Sequence, residues 1–423
     1  MTQIESLKTE QKFKRTEAGE IPVEWEVVKI EDCCDILDSE RIPLNDEERR
    51  DIKGEYPYYG ANGVVDWINK HIFDEDLILM AEDGGYFDQY ETRTIAYLVN
   101  GKCWVNNHAH VLRARKGWVR EWIFYSIVHK NILPYIGGGT RSKLNQKELR
   151  AILIPAPPLP EQKKIAEILL AIDSAIEKSD RLIEKKKELK KGLMQELFKC
   201  GVRSSEFGVR KLKKTPIGEI PVDWEVESLG CISTEIYRYP TYYNIKYVEK
   251  GIPEIRGELI KPNGTLETDM SLYRFISEET AAQFPRTRMR EGDFVISVRG
   301  TMGKVGIVPK NLDGANMTAN LIRISPDKNK VHPSWLQQVF ISDKFQEQLD
   351  AASSSSTIKT IKASELEALN FAIPALPEQK KIAVILSNVD AEIEQEVNEK
   401  EKLEQLKKGL MQALLTGKVR VKI

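Results

Sequence analysis

The amino-acid sequence predicts an α+β protein with two tandem, β-rich domains separated by two long helices, which pair as an antiparallel coiled coil. Three observations predict this fold: a long internal repeat, short apolar runs punctuated by glycine, and a heptad-spaced apolar pattern after each domain. The repeat also predicts an internal pseudo-twofold relation between the halves. With 423 residues, the chain is long enough for two domains that each have a core.

Composition limits the class of protein. The formal net charge is −1 and 41% of the residues are hydrophobic, which is typical of a soluble cytoplasmic protein. No apolar run approaches the ~20 residues of a membrane span, and the polar first residues are unlike a signal peptide, so we expect no membrane partner. Five cysteines without paired spacing fit a reducing compartment. The balanced charge gives no strongly basic domain of the kind that usually marks nucleic-acid binding.

Two strings of residues recur 217 positions apart. Residues 160–166 read PEQKKIA and return at 377–383, whereas residues 190–195 read KKGLMQ and return at 407–412. The residues between the two strings differ in the two copies, but their number is the same. A segment that keeps its length while its residues change is typical of a spacer.

Each half begins with a further repeated string. Residues 19–27 read GEIPVEWEV and residues 218–226 read GEIPVDWEV. The alternation of apolar and polar residues predicts an opening strand with its proline at a sheet edge.

The segments between the opening string and the long helix are predicted to be β-rich. Turns that contain glycine separate short apolar runs in both halves. The predicted strands are 77–80, 94–99 and 109–112 in the first half, and 293–298, 305–308 and 320–324 in the second. A short helix is predicted to follow in each half, at 122–129 and at 335–348.

The two long helices are predicted to pack on each other along a seam with 3.5-residue spacing. The predicted seam positions are Ile165, Ile168, Ile172, Ala175, Leu182, Leu189 and Leu193, and then Ile382, Ile385, Val389, Leu403, Leu406 and Leu410. A stripe this thin leaves an isolated helix marginally stable, so pairing is expected. About 39 residues of helix span about 58 Å.

The polar residues of the seam indicate the direction of pairing. If the helices are antiparallel, Lys186 lies near Glu392 and Glu396. Parallel pairing sets Lys186 level with Leu403 and leaves Glu396 unmatched. The antiparallel arrangement is therefore expected, with the polar residues fixing the register.

These features resemble one known family. The duplicated PEQKKIA helix, the Ile-Pro-x-x-Trp string and the duplicated domain are similar to the specificity (S) subunit of type I restriction–modification enzymes. Within the domains, residues 56–63, 105–112 and 292–304 resemble segments common in that family's target-recognition domains. The resemblance extends from about residue 14 to residue 420.

The resemblance implies a non-catalytic DNA-recognition subunit without a cofactor. Each recognition domain would read one half of a bipartite double-stranded DNA target, and the paired helices would set the gap between the halves. Two methyltransferase (modification) subunits would bind the helices, and restriction (motor-nuclease) subunits would complete the complex. The physical argument agrees, because two readers on one face of a duplex need a spacing near a helical turn, about 34–36 Å, or another fixed by the protein.

The resemblance also assigns domains. The predicted boundaries are 14–158 for target-recognition domain 1, 159–200 for spacer helix 1, 201–217 for a linker, 218–375 for target-recognition domain 2, 376–416 for spacer helix 2 and 417–423 for a C-terminal tail. The matched tails Val202-Arg203 and Val419-Arg420 are expected to dock on a neighbouring domain.

Candidate DNA-contacting residues lie on loops, where polar side chains can reach base edges and basic side chains can reach phosphates. The candidates are Tyr59, Asn62, Asn107, His108, Arg141 and Lys143, followed by Arg286, Arg288, Arg299, Thr301, Lys304, Lys359 and Lys362. The open alternatives are that the basic residues are solvated surface and that 60–63 and 300–303 are hairpin turns only. For the spacer and partner-binding helices the candidates are Ile165, Ile172, Lys186, Leu193, Ile382, Val389, Glu396 and Leu410.

Motifs for catalysis and metal binding are missing from the sequence. An adenine methyltransferase needs an Asn/Asp-Pro-Pro-aromatic tetrapeptide, and the Pro157-Pro158 pair lies in a linker. Residues 300–304 lack the spacing and the ending of a phosphate-binding loop. His108 and His110 share one face of a strand, but no third ligand is suggested, and packing or DNA contact is favoured over a metal.

Two other functions stay open at this point. The chain could itself be a methyltransferase or nuclease, which the missing motifs disfavour. It could also be a structural adaptor with two protein-binding heads on a coiled-coil spacer.

Overall fold

The computed structural model of the chain describes residues 12–137, 142–202, 211–238, 245–298, 301–353 and 360–423. The chain forms two compact units, of which the first comprises Met1–Asp180 with Asn398–Ile423 and the second comprises Arg181–Val397. Each long helix therefore contributes its first part to one unit and its last part to the other. Within the described ranges, no helix combines the length and the apolar character needed to cross a membrane.

The first unit is built from short strands and four short helices. Its strands are β1 (Phe13–Thr16), β2 (Gly19–Pro22), β3 (Glu26–Lys29), β4 (Cys34–Ile36), β5 (Lys53–Gly60), β6 (Gly63–Ile68), β7 (Phe73–Asp74), β8 (Leu77–Ala81), β9 (Ala96–Val99), β10 (Lys102–Val105), β11 (Ala109–Ala114) and β12 (Leu153–Ala156). Its helices are α1 (Ile30–Cys33), α2 (Asp46–Asp51), α3 (Arg120–Ile127), α4 (Gln146–Ala151) and the beginning of α5 (Leu159–Cys200).

Two four-stranded sheets organise the first unit, with strand orders β4-β11-β8-β9 and β6-β5-β10-β7. β8 lies between two antiparallel neighbours, and all five of its residues are buried. β5 and β10 run parallel, with Trp104 beside Tyr58. The loops that follow these two strands therefore leave the sheet at the same edge.

The second unit repeats this plan with a different sequence. Its strands are β13 (Leu212–Thr215), β14 (Gly218–Pro221), β15 (Glu225–Ser228), β16 (Ser233–Arg238), β17 (Tyr247–Val248), β18 (Ile252–Ile255), β19 (Arg274–Ile276), β20 (Phe294–Ser297), β21 (Val305–Ile307), β22 (Asn316–Met317), β23 (Leu321–Pro326) and β24 (Asn370–Ile373). Its helices are α6 (Glu278–Gln283), α7 (Pro333–Phe340), α8 (Asp343–Ala352), α9 (Ala363–Glu367) and the beginning of α10 (Leu376–Leu414).

The sheets of the second unit correspond to those of the first. The order β16-β23-β20-β21 matches β4-β11-β8-β9, and β18 runs parallel to β22 as β5 does to β10. The internal repeat therefore includes the β-rich domains, although their loops have diverged in sequence.

The repeated opening string is two strands and not the single strand that its alternation predicts. In the first unit β2 ends at Pro22, and the N–H of Trp25 donates to the Pro22 carbonyl at 3.0 Å, which closes a turn before β3. Trp224 makes the same turn in the second unit, at 3.1 Å. The strand is interrupted because each indole must enter the core, where Trp25 is 0% exposed.

The helix predicted at 335–348 is also divided, into α7 and α8. The hydroxyl of Ser342 accepts a hydrogen bond from the Phe345 N–H at 3.3 Å, which caps a new helix at this point. Serine is a preferred N-cap residue, so Ser342 could have indicated that a second helix begins here. The prediction missed this because the apolar residues on both sides of Ser342 continue one helical spacing.

The paired stretches of α5 and α10 run antiparallel, as predicted. In the second unit Lys186 Nζ lies 3.1 Å from Glu396 and 3.4 Å from Glu392, and Lys190 Nζ lies 2.7 Å from Asp390. Residue numbers thus rise along one helix as they fall along the other.

The first unit has its own antiparallel stretch. Lys407 Nζ lies 2.6 Å from Asp173, and Lys400 Nζ lies 2.7 Å from Asp180. The pair Lys407–Asp173 stands 217 positions from Lys190 and Asp390, so the repeat reproduces the same ion pair in each unit.

Some of the predicted seam positions lie outside the seam. Leu182, Leu189 and Leu406 are 40%, 55% and 51% exposed. One row of buried and half-buried positions follows steps of three and four residues along α5, namely Ile165, Leu169, Ile172, Ile176, Ser179, Ile183, Lys186, Lys190, Leu193 and Leu197, and the residues 217 positions later in α10 are buried or half-buried as well. The prediction was wrong for these leucines because Leu182 and Leu189 continue a seven-residue spacing from Ile168, and Leu406 continues one from Ile385, along a neighbouring face.

Candidate nucleic-acid interface

Two buried polar residues in the first turn of α5 anchor this helix on the first unit. Glu161 Oε2 accepts a hydrogen bond from Trp25 Nε1 at 3.1 Å, and Arg420 donates to both oxygens of Glu161 at 2.5 and 2.8 Å. Gln162 accepts from the Val119 N–H at 3.2 Å and donates to the Pro157 carbonyl at 2.9 Å. The expected docking of the C-terminal tail is confirmed for Arg420.

The second unit anchors α10 with the equivalent residues. Glu378 accepts from Trp224 Nε1 at 3.1 Å and from the Val202 N–H at 2.9 Å. Gln379 accepts from the His332 N–H at 2.7 Å. Arg203 lies outside the described residues. The PEQ string and the distant tryptophan recur together because they form one buried contact.

A groove of about 760 Å³ opens in the first unit at the shared edge of β5 and β10. Loops after β5, β8 and β10 line it, and they bring together the predicted residues Asn62, Asn107 and His108. Asn107 is exposed, and Asn62 Nδ2 donates to the Gly84 carbonyl at 3.0 Å. This hydrogen bond fixes the β5–β6 turn against the loop that follows β8.

His108 is held at the groove by two contacts. The ring atom Nδ1 of His108 lies 2.6 Å from Asp83 Oδ1, and the backbone N–H of His108 donates to Asn106 Oδ1 at 2.8 Å. The side chain stays 41% exposed, so one edge of the imidazole faces the groove opening. The groove thus presents amide and imidazole groups that can donate or accept hydrogen bonds.

The other predicted residues of the first unit have different settings. The side chain of Tyr59 is half-buried against the apolar cluster that includes Val105, and this burial raises the pKa of its phenol. Lys143 is exposed, with Nζ 3.0 Å from Glu82. Arg141 lies outside the described residues. Contact with DNA stays a prediction for all three.

A buried ionic cluster includes Glu82, the residue before the groove-lining Asp83. Among the described residues, the oxygens of Asp38 and Glu82 and a ring nitrogen of His110 lie within 4.8 Å of one another, as in a metal site. Arg41 donates to Glu82 and to the Ala109 carbonyl, both at 2.6 Å. His110 uses both ring nitrogens, at 2.6 Å from Asp38 and 2.8 Å from the Leu144 carbonyl. Arg41 lies within ion-pair distance of both carboxylates and Lys143 pairs with Glu82, so the cluster is an internal ion network.

Asp38 accepts hydrogen bonds from His110, from the Val111 N–H and from Gln146 in this cluster. Burial alone would raise its pKa, but the hydrogen bond and charge of His110, the Val111 N–H and Arg41 together bring the pKa of Asp38 below its ordinary value. The ionised form is therefore favoured in the folded state. Through His110, the cluster ties the segment at Leu144 to β11.

An equivalent groove of about 320 Å³ opens in the second unit at the shared edge of β18 and β22. Its lining comes from the loops after β18, β20 and β22, and it includes the predicted residues Thr301 and Lys304, which are exposed. Arg256, Glu258, Thr318 and Asn320 complete the polar lining. The two grooves occupy the same place in their units and carry different side chains.

Ser297 shapes the turn that presents Thr301 and Lys304. Its hydroxyl donates to the Thr301 carbonyl at 2.6 Å and accepts from the Lys304 N–H at 3.0 Å. Gly303 has a φ of +87°, a left-handed conformation that favours glycine. β20 and β21 thus form an antiparallel hairpin, and residues 60–63 lie at the turn of a different hairpin, between β5 and β6. A hairpin geometry does not prevent its tip from contacting DNA.

Three predicted basic residues of the second unit, Arg286, Arg288 and Lys362, lie outside the groove and are exposed. Arg286 lies 2.7 Å from Glu235 and stacks over Tyr237 at 4.1 Å, and Arg288 lies 3.5 Å from Glu278. Lys362 is exposed at the start of α9. Arg299 and Lys359 lie outside the described residues. Contact with DNA stays a prediction for these five residues, Arg286, Arg288, Arg299, Lys359 and Lys362.

Sequence reasoning missed several residues that line the grooves. Arg49 in the first groove and Arg256 in the second were not predicted, since nothing local marks them. Asn320 could have been found, because it stands directly before β23 as His108 stands before β11. The predicted strand 320–324 had instead placed Asn320 inside the strand, whereas β23 begins at Leu321.

Comparison with known proteins identifies the family. The protein family described as "Type I restriction modification DNA specificity domain" matches the chain twice, once in each half, at residues 22–187 and 221–405. Two relatives come from Methanocaldococcus jannaschii. The first, named as a proposed specificity subunit of the type I restriction enzyme MjaX, is 31% identical, and the match covers 98% of each chain. The second, the specificity subunit of the type I restriction enzyme MjaVIII, is 28% identical, and the match covers 98% of this chain and 97% of the relative.

Solved structures show the same fold. The type I restriction–modification S subunit from M. genitalium superposes with a TM-score of 0.59 at 15% identity, covering 94% of this chain and 96% of that one. A chain from a structural study of assembly and conformational transition in the type I system gives 0.53 at 18% identity, covering 94% and 99%. The chain therefore belongs to the type I restriction–modification DNA specificity family, whose members are specificity subunits and not the catalytic ones.

Proposed function

We propose that the chain reads a bipartite DNA target, with one half-site in each groove. The observation that carries the proposal is the pair of equivalent grooves at the β5–β10 and β18–β22 edges. Both present hydrogen-bonding side chains of the types that recognise base edges, but the side chains differ. Two similar sites with different linings are suited to an asymmetric target.

The chemistry of each lining side chain indicates which part of the DNA it would contact. Asn62 and Asn107 carry amides of the type that pairs with adenine, and His108 adds an imidazole beside them. In the second groove Lys304 and Arg256 carry cations of the type that contacts guanine, with Thr301 and Asn320 alongside. Lys143, Arg286, Arg288 and Lys362 would contact phosphates.

The paired stretches of α5 and α10 set the gap between the half-sites and bind two methyltransferase subunits, to which restriction subunits are added. The near-neutral charge supports this division of labour, because partners that grip phosphates leave the specificity subunit with only local basic patches. Such a complex works on chromosomal DNA in the cytoplasm.

An exchange of one domain tests the proposal. Residues 14–158 are replaced by the corresponding domain of a relative with a different target, and the methylated sequence is determined. The expected result is a change in one half-site with the gap and the other half-site unchanged. If both half-sites change, or neither does, the assignment of one half-site to each unit is wrong.

Binding to DNA separates this function from that of a protein-binding adaptor. The complex is titrated with its target and with a scrambled duplex in high salt, where non-specific binding to phosphates is weak. A specificity subunit retains tighter binding to its target, by about 10³-fold or more. Equal affinity for both duplexes would favour the adaptor.

A further inference from the structure

Two exposed valines line the groove of the first unit. Val64 is 45% exposed and Val65 is 58% exposed, and both lie among the polar side chains at the β5–β10 edge. A single exposed apolar residue on a convex surface needs no explanation. Two adjacent valines in a polar groove differ, because their exposed apolar area faces the space that a ligand would fill.

A β-bulge places both valines in the groove. In the register of β5 and β6, Tyr58 lies opposite Asp66 and Tyr59 lies opposite Val64, so Val65 is the extra residue of the bulge. In a regular strand, Val64 and Val65 would point to opposite faces of the sheet. A bulge breaks this alternation and changes the direction of the side chains beside it, so that both valines line one groove.

Gly60 leaves room for Val65 in this groove. A Cβ built on Gly60 would lie 2.7 Å from Val65 Cγ2 and 3.4 Å from Asn106 Nδ2. The valine methyl therefore takes up space that a side chain at position 60 would need. An apolar methyl group and an amide group meet over the same backbone position.

The combination of amide and methyl groups matches one base pair. In the major groove of DNA, adenine presents an acceptor and a donor that suit an amide, whereas thymine presents a C5-methyl group that suits an apolar side chain. Asn62 and Asn107 supply amides beside the two valines. A two-stranded β-ribbon fits the major groove, and β5 and β6 form such a ribbon at the edge of their sheet.

We propose that Val65, with Val64 beside it, reads the C5-methyl group of a thymine in the half-site of the first unit, while the neighbouring amides read an adenine. The inference rests on the proposed function, since it requires the first groove to bind a half-site. It adds that this half-site contains an A·T pair and that apolar contact recognises its thymine.

The second groove predicts a difference between the half-sites. Among its described lining residues there is no exposed valine, leucine or isoleucine, because Leu321 is buried. Recognition of a thymine methyl group by Val65 is therefore expected in one half-site and not in the other.

The test measures DNA binding by the complex of the full chain with its methyltransferase subunit. The methylated motif supplies the target, and the exchange of residues 14–158 identifies the half-site of the first unit. Deoxyuridine then replaces each thymine of this half-site in turn, which removes only the C5-methyl group. At the thymine that Val65 contacts, the replacement should weaken binding about fourfold, the effect of losing one buried methyl group.

Val65→Ala shows whether this effect depends on the valine. The variant should bind the thymine target about fourfold more weakly than the wild type, and it should no longer distinguish thymine from deoxyuridine. The two changes are non-additive only if the two methyl groups are in contact. Because Val65 is exposed, the Tm of the variant should match that of the wild type.

Val23→Ala is the matched control variant. Val23 is 43% exposed in the same unit and lies outside the groove, so this variant should keep the fourfold difference between thymine and deoxyuridine. Deoxyuridine in the second half-site is the matched control duplex. Its effect on binding should be the same for the wild type and for Val65→Ala.

Three outcomes would overturn the inference. If the wild-type complex binds its target no more tightly than a scrambled duplex, the proposed function itself is wrong. If binding is specific but the first half-site has no thymine or tolerates deoxyuridine at every thymine, the proposed function stands and the role of Val65 is wrong. If only N6-methylation of an adenine changes binding in a way that depends on Val65, this residue reads the modified adenine and not thymine.

Discussion

Glu161 shows at the scale of one residue why the repeated strings exist. A buried carboxylate is tolerated only when its oxygens are hydrogen-bonded, and Trp25 and Arg420 meet that need. Both partners are distant in sequence. The glutamate therefore joins the opening turn, the long helix and the C-terminal tail of the first unit at one point.

Glu161→Ala is expected to lower the free energy of unfolding of the first unit by about 2–3 kcal/mol, because it leaves the Trp25 N–H and the partly exposed Arg420 without their acceptor. Urea denaturation of the isolated chain measures the change. Glu167→Ala, at an exposed position on the same helix, is the control and should cost less than about 0.5 kcal/mol. Equal effects of the two substitutions would contradict the anchoring role.

Asp38 gives a prediction about pH. Because its pKa is lowered in the folded state by His110, Val111 and Arg41, against the effect of burial, its contribution to stability is present above the unfolded pKa of about 4 and is lost as the pH falls through the folded pKa. The difference in unfolding free energy between the wild type and Asp38→Asn should be largest above about pH 5 and narrow below about pH 4. Urea denaturation from above pH 5 to below pH 4 measures this difference, and a difference independent of pH would contradict the role of the Asp38 carboxylate.

At the scale of the elements, the helix pair is held by ion pairs set within an apolar seam. Lys190 and Asp390 are 12% and 27% exposed, so water screens their attraction only in part. Their repeat counterparts Lys407 and Asp173 make the same contact in the first unit. Polar residues at such positions fix the register of the pair.

A charge exchange tests this register. Lys190→Asp and Asp390→Lys should each destabilise the second unit, and the double variant should recover part of the loss, with a coupling of about 1 kcal/mol. A thermodynamic cycle of urea denaturation measures the coupling. The exposed pair Lys187–Glu184 is the control and should show a coupling near zero. No recovery in the double variant would mean that the pair does not set the register.

Elements with a regular spacing of apolar residues could be predicted from the sequence. Elements whose bounds depend on tertiary contacts could not. Strands such as β8, β11 and β20 follow from continuous apolar runs, and the direction of the helix pair follows from Lys186 and its acidic partners. The break at Trp25 could not be predicted, because it depends on Glu161, which lies 136 residues away. The assignment of Leu189 to the seam failed since two neighbouring heptad faces overlap in one pattern.

The grooves show the same limit. Asn62, Asn107 and His108 could be proposed because they belong to short polar strings at strand ends. Their meeting in one groove depends on the parallel pairing of β5 with β10, which joins strands far apart in the chain. Arg256 was missed because its loop has no sequence counterpart in the first unit.

At the scale of the whole molecule, the helix pair acts as a ruler in the proposed function. Seven residues are inserted into each long helix at the facing positions 180 and 400, which preserves the heptad phase. The added length of about 10.5 Å corresponds to about three base pairs of DNA. The methylated target should therefore gain a gap about three base pairs longer with unchanged half-sites. A changed half-site with an unchanged gap would contradict the ruler.

The central claim is that one chain with two different grooves reads a split target. The most direct test is to co-express the chain with the methyltransferase subunit encoded beside it and to map methylated adenines across the host genome. The account predicts one asymmetric motif, with two defined half-sites and a constant gap of unspecified bases. Methylation at a continuous motif, or no complex and no motif that depends on this chain, would contradict it.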